Sequence, residues 1–323
     1  MDNKETSYTA ADTLPIKLML EKEVIDDKGL IKPKHAQFIP TNRCNLNCSF
    51  CSCSARDKQV EMSYDDAIKI INSMVELGTK AVTITGGGEP LLHPDIERII
   101  TYFYLSDIKV GLVTNGLLLD TINPEVLNKV TWCRISSGDE RIFNKEYQDK
   151  LSKVVKSCPD VDWAFSHVVT TNMNFGLIGA IVNFANEHSF THVRLVTDIF
   201  TKEDIDLSLV EEFFIEAEIT DDLVIYQGRK EYMCGSDCYI GYLKPLIGAD
   251  CKVYACCGVQ YAFQQPTRDL PDELCLGSAF DLEKIYLSSN SPLDGSQCVK
   301  CYYDNYNTIL SAMLKGIEHK EFI

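Results

Sequence analysis

The stretch Cys44-Asn45-Leu46-Asn47-Cys48-Ser49-Phe50-Cys51 brings three cysteines together, with three residues between the first pair and two between the second. A short loop with this spacing can supply three thiolates to a cuboidal iron-sulfur cluster. A structural zinc site would instead take four protein ligands from paired cysteine or histidine motifs. Because three thiolates leave the fourth iron of a 4Fe-4S cluster open, the stretch predicts a cluster that can chelate a small molecule on that iron.

The same stretch resembles the cluster loop of radical S-adenosylmethionine (radical SAM) enzymes, including the aromatic Phe50 directly before the third cysteine. In that family the open iron binds the amine and carboxylate of SAM, and reduction of the sulfonium releases a 5'-deoxyadenosyl radical. The resemblance implies that Cys44, Cys48 and Cys51 hold the cluster and that Phe50 lies at the SAM site. It also implies an electron donor of the flavodoxin or ferredoxin type.

A glycine-rich turn, Thr85-Gly86-Gly87-Gly88-Glu89-Pro90, directly follows the predicted strand Ala81–Thr85. Glycines at the end of a strand let the backbone approach a ligand closely and adopt positive φ angles. The turn lacks the spacing and the lysine of a phosphate loop. It is similar to the G-G-E-P turn with which radical SAM enzymes bind the amino group of SAM. The resemblance assigns these residues to the cofactor: Gly86, Gly87, Gly88 and Glu89.

Short β-branched or apolar runs alternate with longer segments of helical periodicity, which is typical of a parallel sheet built from βα units. The predicted strands are His35–Ile39, Ala81–Thr85, Val110–Thr114, Cys133–Ser136, Trp163–Val169 and His192–Thr197. The predicted helices are one capped at Ser63 and stopped by Gly78, then Asp95–Leu105, Glu125–Val130, Asn144–Val155, Gly176–His188 and Ser208–Ala217.

Six βα units predict an α/β fold, a partial (β/α)6 TIM-like barrel similar to the core of radical SAM proteins. The chain becomes rich in cysteine and glycine after Tyr226, so the repeat is expected to stop there, and a complete eight-unit barrel is the alternative. The predicted domains are an N-terminal extension over 1–34, the barrel over 35–225 and a small cysteine-rich domain over 226–323. An extension this short predicts no leader-binding domain in the chain.

Polar residues stand at the ends or in the interior of later strands. In radical SAM enzymes small polar residues at such positions bind the carboxylate and ribose of SAM, and the resemblance makes Asn115, Ser136 and Ser166 candidates for this role. Arg194 interrupts an apolar strand, and a guanidinium inside a barrel is costly unless it meets a carboxylate. The SAM carboxylate or an anionic substrate group is its predicted partner, and an outward-facing arginine is the alternative.

The C-terminal third holds eight cysteines: Cys234, Cys238, Cys251, Cys256, Cys257, Cys275, Cys298 and Cys301. The run Leu246–Cys257 resembles the hairpin of SPASM and twitch domains, with Cys251 in place of the usual glycine. That resemblance implies a twitch domain with one fully ligated auxiliary 4Fe-4S cluster. Its implied ligands are Cys238, Cys256, Cys298 and Cys301. A structural zinc ion held by the same four thiolates is the alternative.

Charge and composition exclude some functions. Lys and Arg number 31 against 47 Asp and Glu, and the net charge of −16 disfavours general nucleic-acid binding. The acidic surface favours a neutral or cationic substrate such as an amino sugar. The sequence shows no membrane-spanning stretch and no signal peptide, which predicts a cytoplasmic protein without a membrane partner. In a reducing compartment the 14 cysteines indicate metal ligation rather than disulfides.

The auxiliary cluster sets the predicted reaction. A fully ligated cluster can accept an electron from a substrate radical, which favours oxidation (dehydrogenation) of a small polar substrate, or of a peptide brought by another protein. Epimerisation would need a hydrogen-donating thiol, and peptide cross-linking is also open. The candidate thiols are Cys234, Cys251, Cys257 and Cys275, each of which could equally be an inert buried residue. A non-catalytic electron-transfer protein with two clusters is the remaining class, but it would need no open iron.

Overall fold

Seven parallel strands, each hydrogen-bonded to the next in chain order, form the larger part of the fold. The computed structural model describes residues 14–21, 24–201, 203–227, 237–262, 265–288, 290–298, 301 and 303–316. The strands are β1 His35–Phe38, β2 Ala81–Ile84, β3 Lys109–Thr114, β4 Trp132–Ser136, β5 Asp162–Val169, β6 His192–Thr197 and β7 Val224–Gln227. The first six match the predicted strands to within one residue at either end. The partial parallel barrel predicted from the repeat is confirmed.

Helices connect the strands. They are α1 Leu14–Leu20, which precedes the barrel, and then α2 Tyr64–Glu76, α3 Ile96–Leu105, α4 Pro124–Leu127, α5 Lys145–Ser157, α6 Phe175–Glu187 and α7 Ser208–Glu216. The predicted cap at Ser63 forms, because its hydroxyl accepts a hydrogen bond from the Asp66 amide at 3.1 Å. Gly78 follows α2 with a φ of 80°, a conformation that favours glycine at a helix end.

The C-terminal segment extends the same sheet beyond β1. Its elements are β8 Asp237–Cys238, α8 Ile240–Leu243, β9 Leu246–Ile247, β10 Lys252–Tyr254, β11 Cys275–Ser278, α9 Leu282–Ser288, β12 Leu293–Asp294 and α10 Asp304–Lys315. Strand β9 pairs in parallel with β1, with Leu246 opposite Gln37, and β10 and β11 continue antiparallel from it. The cysteine-rich segment is therefore joined to the barrel edge by backbone hydrogen bonds.

Strand β7 was missed by the sequence analysis. It lies where the composition changes and where the repeat was expected to end, and it pairs in parallel with β6. It has only four residues, of which Ile225 is buried and the other three are half-buried. The pattern was therefore too weak to indicate a strand.

No helix in the described residues has both the length and the apolar character needed to cross a bilayer.

The barrel interior is organised around the Trp132 indole. This ring lies over Gly111 of the adjacent strand, where a Cβ atom would come within 2.1 Å of the ring. The Arg134 guanidinium stands 5.1 Å from the centre of the same ring, two residues further along β4. Because glycine has no side chain, position 111 leaves room for the Trp132 ring, and the Arg134 guanidinium lies near that ring.

Replacing Gly111 with alanine should displace the Trp132 indole. Overpacking of a close-packed core costs about 1–3 kcal/mol, and because the cavity beside Trp132 lets the ring shift, the free energy of unfolding should fall by about 1 kcal/mol in a denaturation experiment. Gly176→Ala in α6 is the control, because a Cβ there would lie 3.6 Å from its nearest neighbour, the Asn174 Oδ1 atom. The control should be neutral or slightly stabilising. A Gly111→Ala protein as stable as the wild type would contradict this packing.

Candidate active site

A cavity of about 1050 Å³ occupies the barrel and reaches the cysteine loop. The loop follows β1 and the glycine-rich turn follows β2, so both leave the carboxyl ends of neighbouring parallel strands. The predicted cofactor residues all lie on the cavity wall: the three loop cysteines, Phe50, the Gly86–Glu89 turn, Asn115, Ser136, Ser166 and Arg194. The fold thus gathers residues from β4, β5 and β6, from the position after β3 and from the two loops around one space.

The cysteine loop is a series of tight turns. The Cys51 amide donates to the Cys48 carbonyl at 3.2 Å, and the Leu46 amide lies 3.5 Å from the Cys44 sulfur. The Phe50 ring packs directly on Gly138, where a Cβ atom would lie 2.5 Å from the ring. Phe50 therefore fills the space between the cysteine loop and the segment that follows β4, and it lines the cavity there.

Cys53 is a further thiol of this loop that the sequence analysis missed. It is buried, and its thiol lies 2.7 Å from Gln260 Oε1 and 3.7 Å from the Gly86 carbonyl oxygen. A hydrogen bond from Cys53 lowers the pKa of Cys51 to about 6, whereas burial raises the pKa of Cys48. Cys53 therefore favours the thiolate form of Cys51, which is the form that a metal ion would bind. The sequence could have indicated Cys53, because it forms a C-x-C pair with Cys51.

The glycine-rich turn is locked to the cysteine loop. The Gly88 amide donates to the Thr41 carbonyl at 3.1 Å, and the Glu89 amide donates to the Arg43 carbonyl at 2.7 Å. A Cβ atom on Gly88 would lie 1.9 Å from the Arg43 carbonyl oxygen. Gly86, Gly87 and Gly88 all have negative φ angles, so the expectation of positive φ was wrong here. These glycines are needed because the two segments approach each other so closely.

The buried Glu89 carboxylate connects three segments of the site. It is 2% exposed and accepts hydrogen bonds from the Leu91 amide at 3.0 Å, the Thr114 hydroxyl at 2.6 Å and the Asn115 amide at 2.7 Å. Burial raises the pKa of Glu89, and these hydrogen bonds oppose that rise. The Asn115 side chain in turn donates to Asn45 Oδ1 in the cysteine loop at 2.7 Å. Glu89 thus fixes the ends of β2 and β3 relative to the loop.

Three predicted residues stand side by side on neighbouring strands. Ser136, Ser166 and Arg194 are in register on β4, β5 and β6. The Arg194 guanidinium donates to the Ser166 hydroxyl, with the Nη2–Oγ distance at 3.2 Å. Arg194 lines the cavity rather than the outer surface of the barrel. A molecule bound in the cavity would therefore lie against this residue.

A second, smaller cavity of about 20 Å³ lies in the C-terminal segment. The four predicted ligands of the auxiliary cluster all line it: Cys238, Cys256, Cys298 and Cys301. Burial raises the pKa of Cys238 to about 11 and also raises that of Cys256. Four thiols are a donor set suited to zinc or an iron-sulfur cluster. Across the described residues, no three His, Cys, Asp or Glu side chains form a site for a single metal ion.

The candidate donor thiols lie at different places relative to the two cavities. Cys257 lines the barrel cavity, and its sulfur lies 3.3 Å from the Tyr303 hydroxyl oxygen. Cys275 lies in β11, and Cys251 lies in the turn before β10 with a φ of 57°, which explains why the related hairpins carry glycine there. Neither of these two lines either cavity. Cys234 lies outside the described residues.

Several cationic residues of the cavity were not predicted, among them Arg134 and Lys244. Arg134 faces inward on β4 and is buried, and Lys244 enters the cavity from the segment between α8 and β9. The argument used for Arg194, a charge within an apolar strand, would have found Arg134. Lys244 carried no such signal because it precedes a strand of only two residues.

Comparison with known families agrees with this geometry. Residues 38–131 match the profile of the Radical SAM superfamily. This range includes the cysteine loop, the glycine-rich turn and the ends of β2 and β3. The resemblance stated from the cysteine loop is confirmed.

Curated relatives match part of the chain. A probable GTP 3',8-cyclase of Methanococcus maripaludis is 42% identical over 83 residues, which cover 25% of this chain and 28% of the relative. The GTP 3',8-cyclase of Aliarcobacter butzleri is 34% identical over 134 residues, 35% of this chain and 41% of the relative. A probable GTP 3',8-cyclase of Sulfurisphaera tokodaii is 30% identical over 169 residues, 48% and 53%. The chain spans from about a quarter to about half of these relatives' length.

Solved structures match over more of the chain. Streptococcus suis SuiB bound to precursor peptide SuiA has a TM-score of 0.58 at 17% identity, covering 84% of this chain and 67% of that chain. The structure of anSMEcpe with bound AdoMet and Cp18Cys peptide has a TM-score of 0.53 at 15% identity, covering 80% and 81%. At these identities the likeness lies in the fold, and it extends beyond the barrel.

Replacing Glu89 with glutamine should weaken the site. The side-chain NH2 group of glutamine would face one of the three hydrogen-bond donors that now bind the Glu89 carboxylate. That donor would lose its acceptor, and a buried unsatisfied donor costs about 1–3 kcal/mol of stability. The free energy of unfolding of the reconstituted protein should fall by that amount. Glu125→Gln, an exposed change in α4, is the control and should stay within about 0.5 kcal/mol of wild type. Equal losses in both variants would contradict the assigned role of Glu89.

Proposed function

We propose that this chain, which carries a radical SAM domain, is an enzyme that cleaves SAM reductively and begins radical chemistry on a substrate held in the barrel. The observation that carries the proposal is the single cavity shared by the three loop thiols, the Gly86–Glu89 turn and the inward residues of the strands. An electron carrier would have no use for this shared space. The electron is proposed to come from a flavodoxin or ferredoxin.

Each residue set has a proposed role. Cys44, Cys48 and Cys51 hold a 4Fe-4S cluster with one open iron, and the Gly86–Glu89 turn receives the amino group of SAM. Glu89 Oε2 accepts one hydrogen bond and has a second lone pair for this purpose. With the cluster and SAM bound, the site would supply a 5'-deoxyadenosyl radical, the species that would take a hydrogen atom from the substrate. Ser136, Ser166 and Arg194 orient the ribose and carboxylate of SAM.

Oxidation is the proposed reaction class. Tyr303 and Ile240 line both the barrel cavity and the small four-cysteine cavity, so one layer of side chains separates them. An auxiliary cluster in the smaller cavity could accept the electron that a substrate radical must lose to become a closed-shell product. The structures similar in fold were solved with peptides, and the curated relatives are named for GTP, so the proposed substrate is a peptide or a small molecule.

Epimerisation is the second candidate because one thiol, Cys257, faces the barrel cavity. A thiol there could return a hydrogen atom to the substrate radical. Peptide cross-linking is also a candidate reaction. It is a variant of the oxidation and needs no additional residue.

SAM cleavage is the direct test. Anaerobically reconstituted protein given SAM and dithionite should release 5'-deoxyadenosine, and Cys48→Ala should release none, because it removes one of the three thiolates. The half-buried Cys275, which lines neither cavity, supplies the control Cys275→Ala, which should retain the activity. Release by Cys48→Ala at the wild-type rate, or by no form of the protein, would refute the proposal.

The second cluster is tested separately with Cys298→Ala. The wild-type chain should bind about eight irons, four in each cluster, and this variant about four. Because the loop cysteines are untouched, it should still cleave SAM. Iron and zinc analysis of the purified proteins measures the difference. A wild type with about four irons and one tightly bound zinc would instead identify the smaller cavity as a zinc site.

A further inference from the structure

Basic side chains from four separate elements line the barrel cavity. Arg134 and Arg194 extend inward from β4 and β6, Lys244 comes from the segment before β9, and the exposed Lys17 comes from α1. The Leu243 carbonyl accepts from the Lys34 amide at 3.1 Å and the Pro245 carbonyl accepts from the Gln37 amide at 2.8 Å, which hold Lys244 beside β1. A chain with a net charge of −16 thus directs cations into its central cavity.

These cations are close enough to affect one another. Burial lowers the pKa of Arg134, and the charge of Arg194 lowers it further. Burial also lowers the pKa of Lys244, with Arg134 and Arg194 adding to the decrease and nearby thiols opposing it. Lys17 has its pKa lowered by burial and then by Lys244. Like charges gathered away from water destabilise a fold unless an anion joins them.

Lys244 lacks an acidic partner among the described residues. Its ammonium stands 5.8 Å from the centre of the Tyr303 ring, and no aspartate or glutamate in the described ranges forms an ion pair with it. The two acidic residues that line the described cavity are engaged elsewhere. Glu21 lies 3.6 Å from the Lys34 ammonium, and Glu89 binds the ends of β2 and β3.

We propose that this cationic cluster binds an anionic group of the substrate, a phosphate or a carboxylate, with Lys244 as its main contact and Arg134 beside it. The inference rests on the proposed function, in which the barrel cavity holds the substrate. An ammonium binds such a group as a point charge, and a guanidinium stacked on Trp132 offers a planar fork of donors. This proposal differs from the expectation of a neutral or cationic substrate, which rested on the net charge of the chain. Net charge describes mainly the outer surface, whereas substrate recognition depends on the side chains that line the cavity.

The anion of the substrate is distinct from the carboxylate of SAM. Arg194 stands in register with Ser136 and Ser166, the residues proposed to orient SAM. Arg134 stands one inward position earlier on β4 and contacts His192, with its Nη2 atom 3.4 Å from the imidazole Nε2. Lys244 precedes β9, whose Leu246 is opposite Gln37 of β1, so Lys244 lies toward the amino ends of the strands. The two anions are therefore expected to bind at different depths.

The test uses the reconstituted protein saturated with SAM, so that the carboxylate of SAM is already in place. Its thermal midpoint is measured at constant ionic strength with inorganic phosphate or with acetate. At least one of the two anions should raise the wild-type midpoint by roughly 2–4 °C. Lys244→Met should have a higher midpoint than wild type without the anion, because a repelling charge is gone, and should lose the rise. The control Lys153→Met, on the exposed face of α5, should keep it.

Each outcome of this experiment supports or refutes the proposal. A rise with phosphate or with acetate identifies the class of anion. No rise with either, an equal rise in Lys244→Met, or a rise seen only without SAM would overturn the proposal. If Lys244→Met does not fold, Lys244→Gln provides the same comparison. The release of 5'-deoxyadenosine is measured in parallel: its absence from the wild type refutes the proposed function, whereas its presence without an anion effect refutes only this inference.

Discussion

The site depends on the contact between the glycine-rich turn and the cysteine loop. Two backbone hydrogen bonds join the segments, and glycine is required at position 88 because a side chain would collide with the Arg43 carbonyl. The buried Glu89 carboxylate then fixes the turn to the end of β3 through Thr114 and Asn115. Because a buried anion is stable only when hydrogen-bond donors surround it, the three donors to Glu89 favour this arrangement. The loop cysteines and the strand ends therefore face one cavity.

Much of this could be predicted from the sequence, for physical reasons. Buried parallel strands are continuous apolar runs and the helices between them are amphipathic, so the first six strands and the Ser63 cap were found. Strand β7 was missed because it has four residues, of which only Ile225 is buried, and because it lies where the composition changes. The pairing of β9 with β1 joins residues more than two hundred positions apart, and no local pattern reports such a contact. Lys244 reaches the barrel only through that pairing, so its place in the site became visible only in the structure.

Two cavities with different walls share the side chain of Tyr303. Several cationic side chains line the larger cavity, and four thiols line the smaller one. The Tyr303 amide lies 3.4 Å from the Cys301 sulfur, while its hydroxyl contacts Cys257 on the barrel side. This single residue thus connects the proposed substrate chamber with the proposed auxiliary cluster. Such proximity suits electron transfer between them, which is why oxidation is favoured over a reaction confined to the barrel.

The central claim is that SAM binds directly to an open iron held by Cys44, Cys48 and Cys51. Electron–nuclear double resonance on the reduced protein, with SAM carrying a magnetic oxygen isotope in its carboxylate, tests it most directly. The account predicts a hyperfine coupling from that oxygen to one reduced cluster, which disappears when the loop cysteines are replaced. Bound SAM with no coupling to any cluster would contradict it.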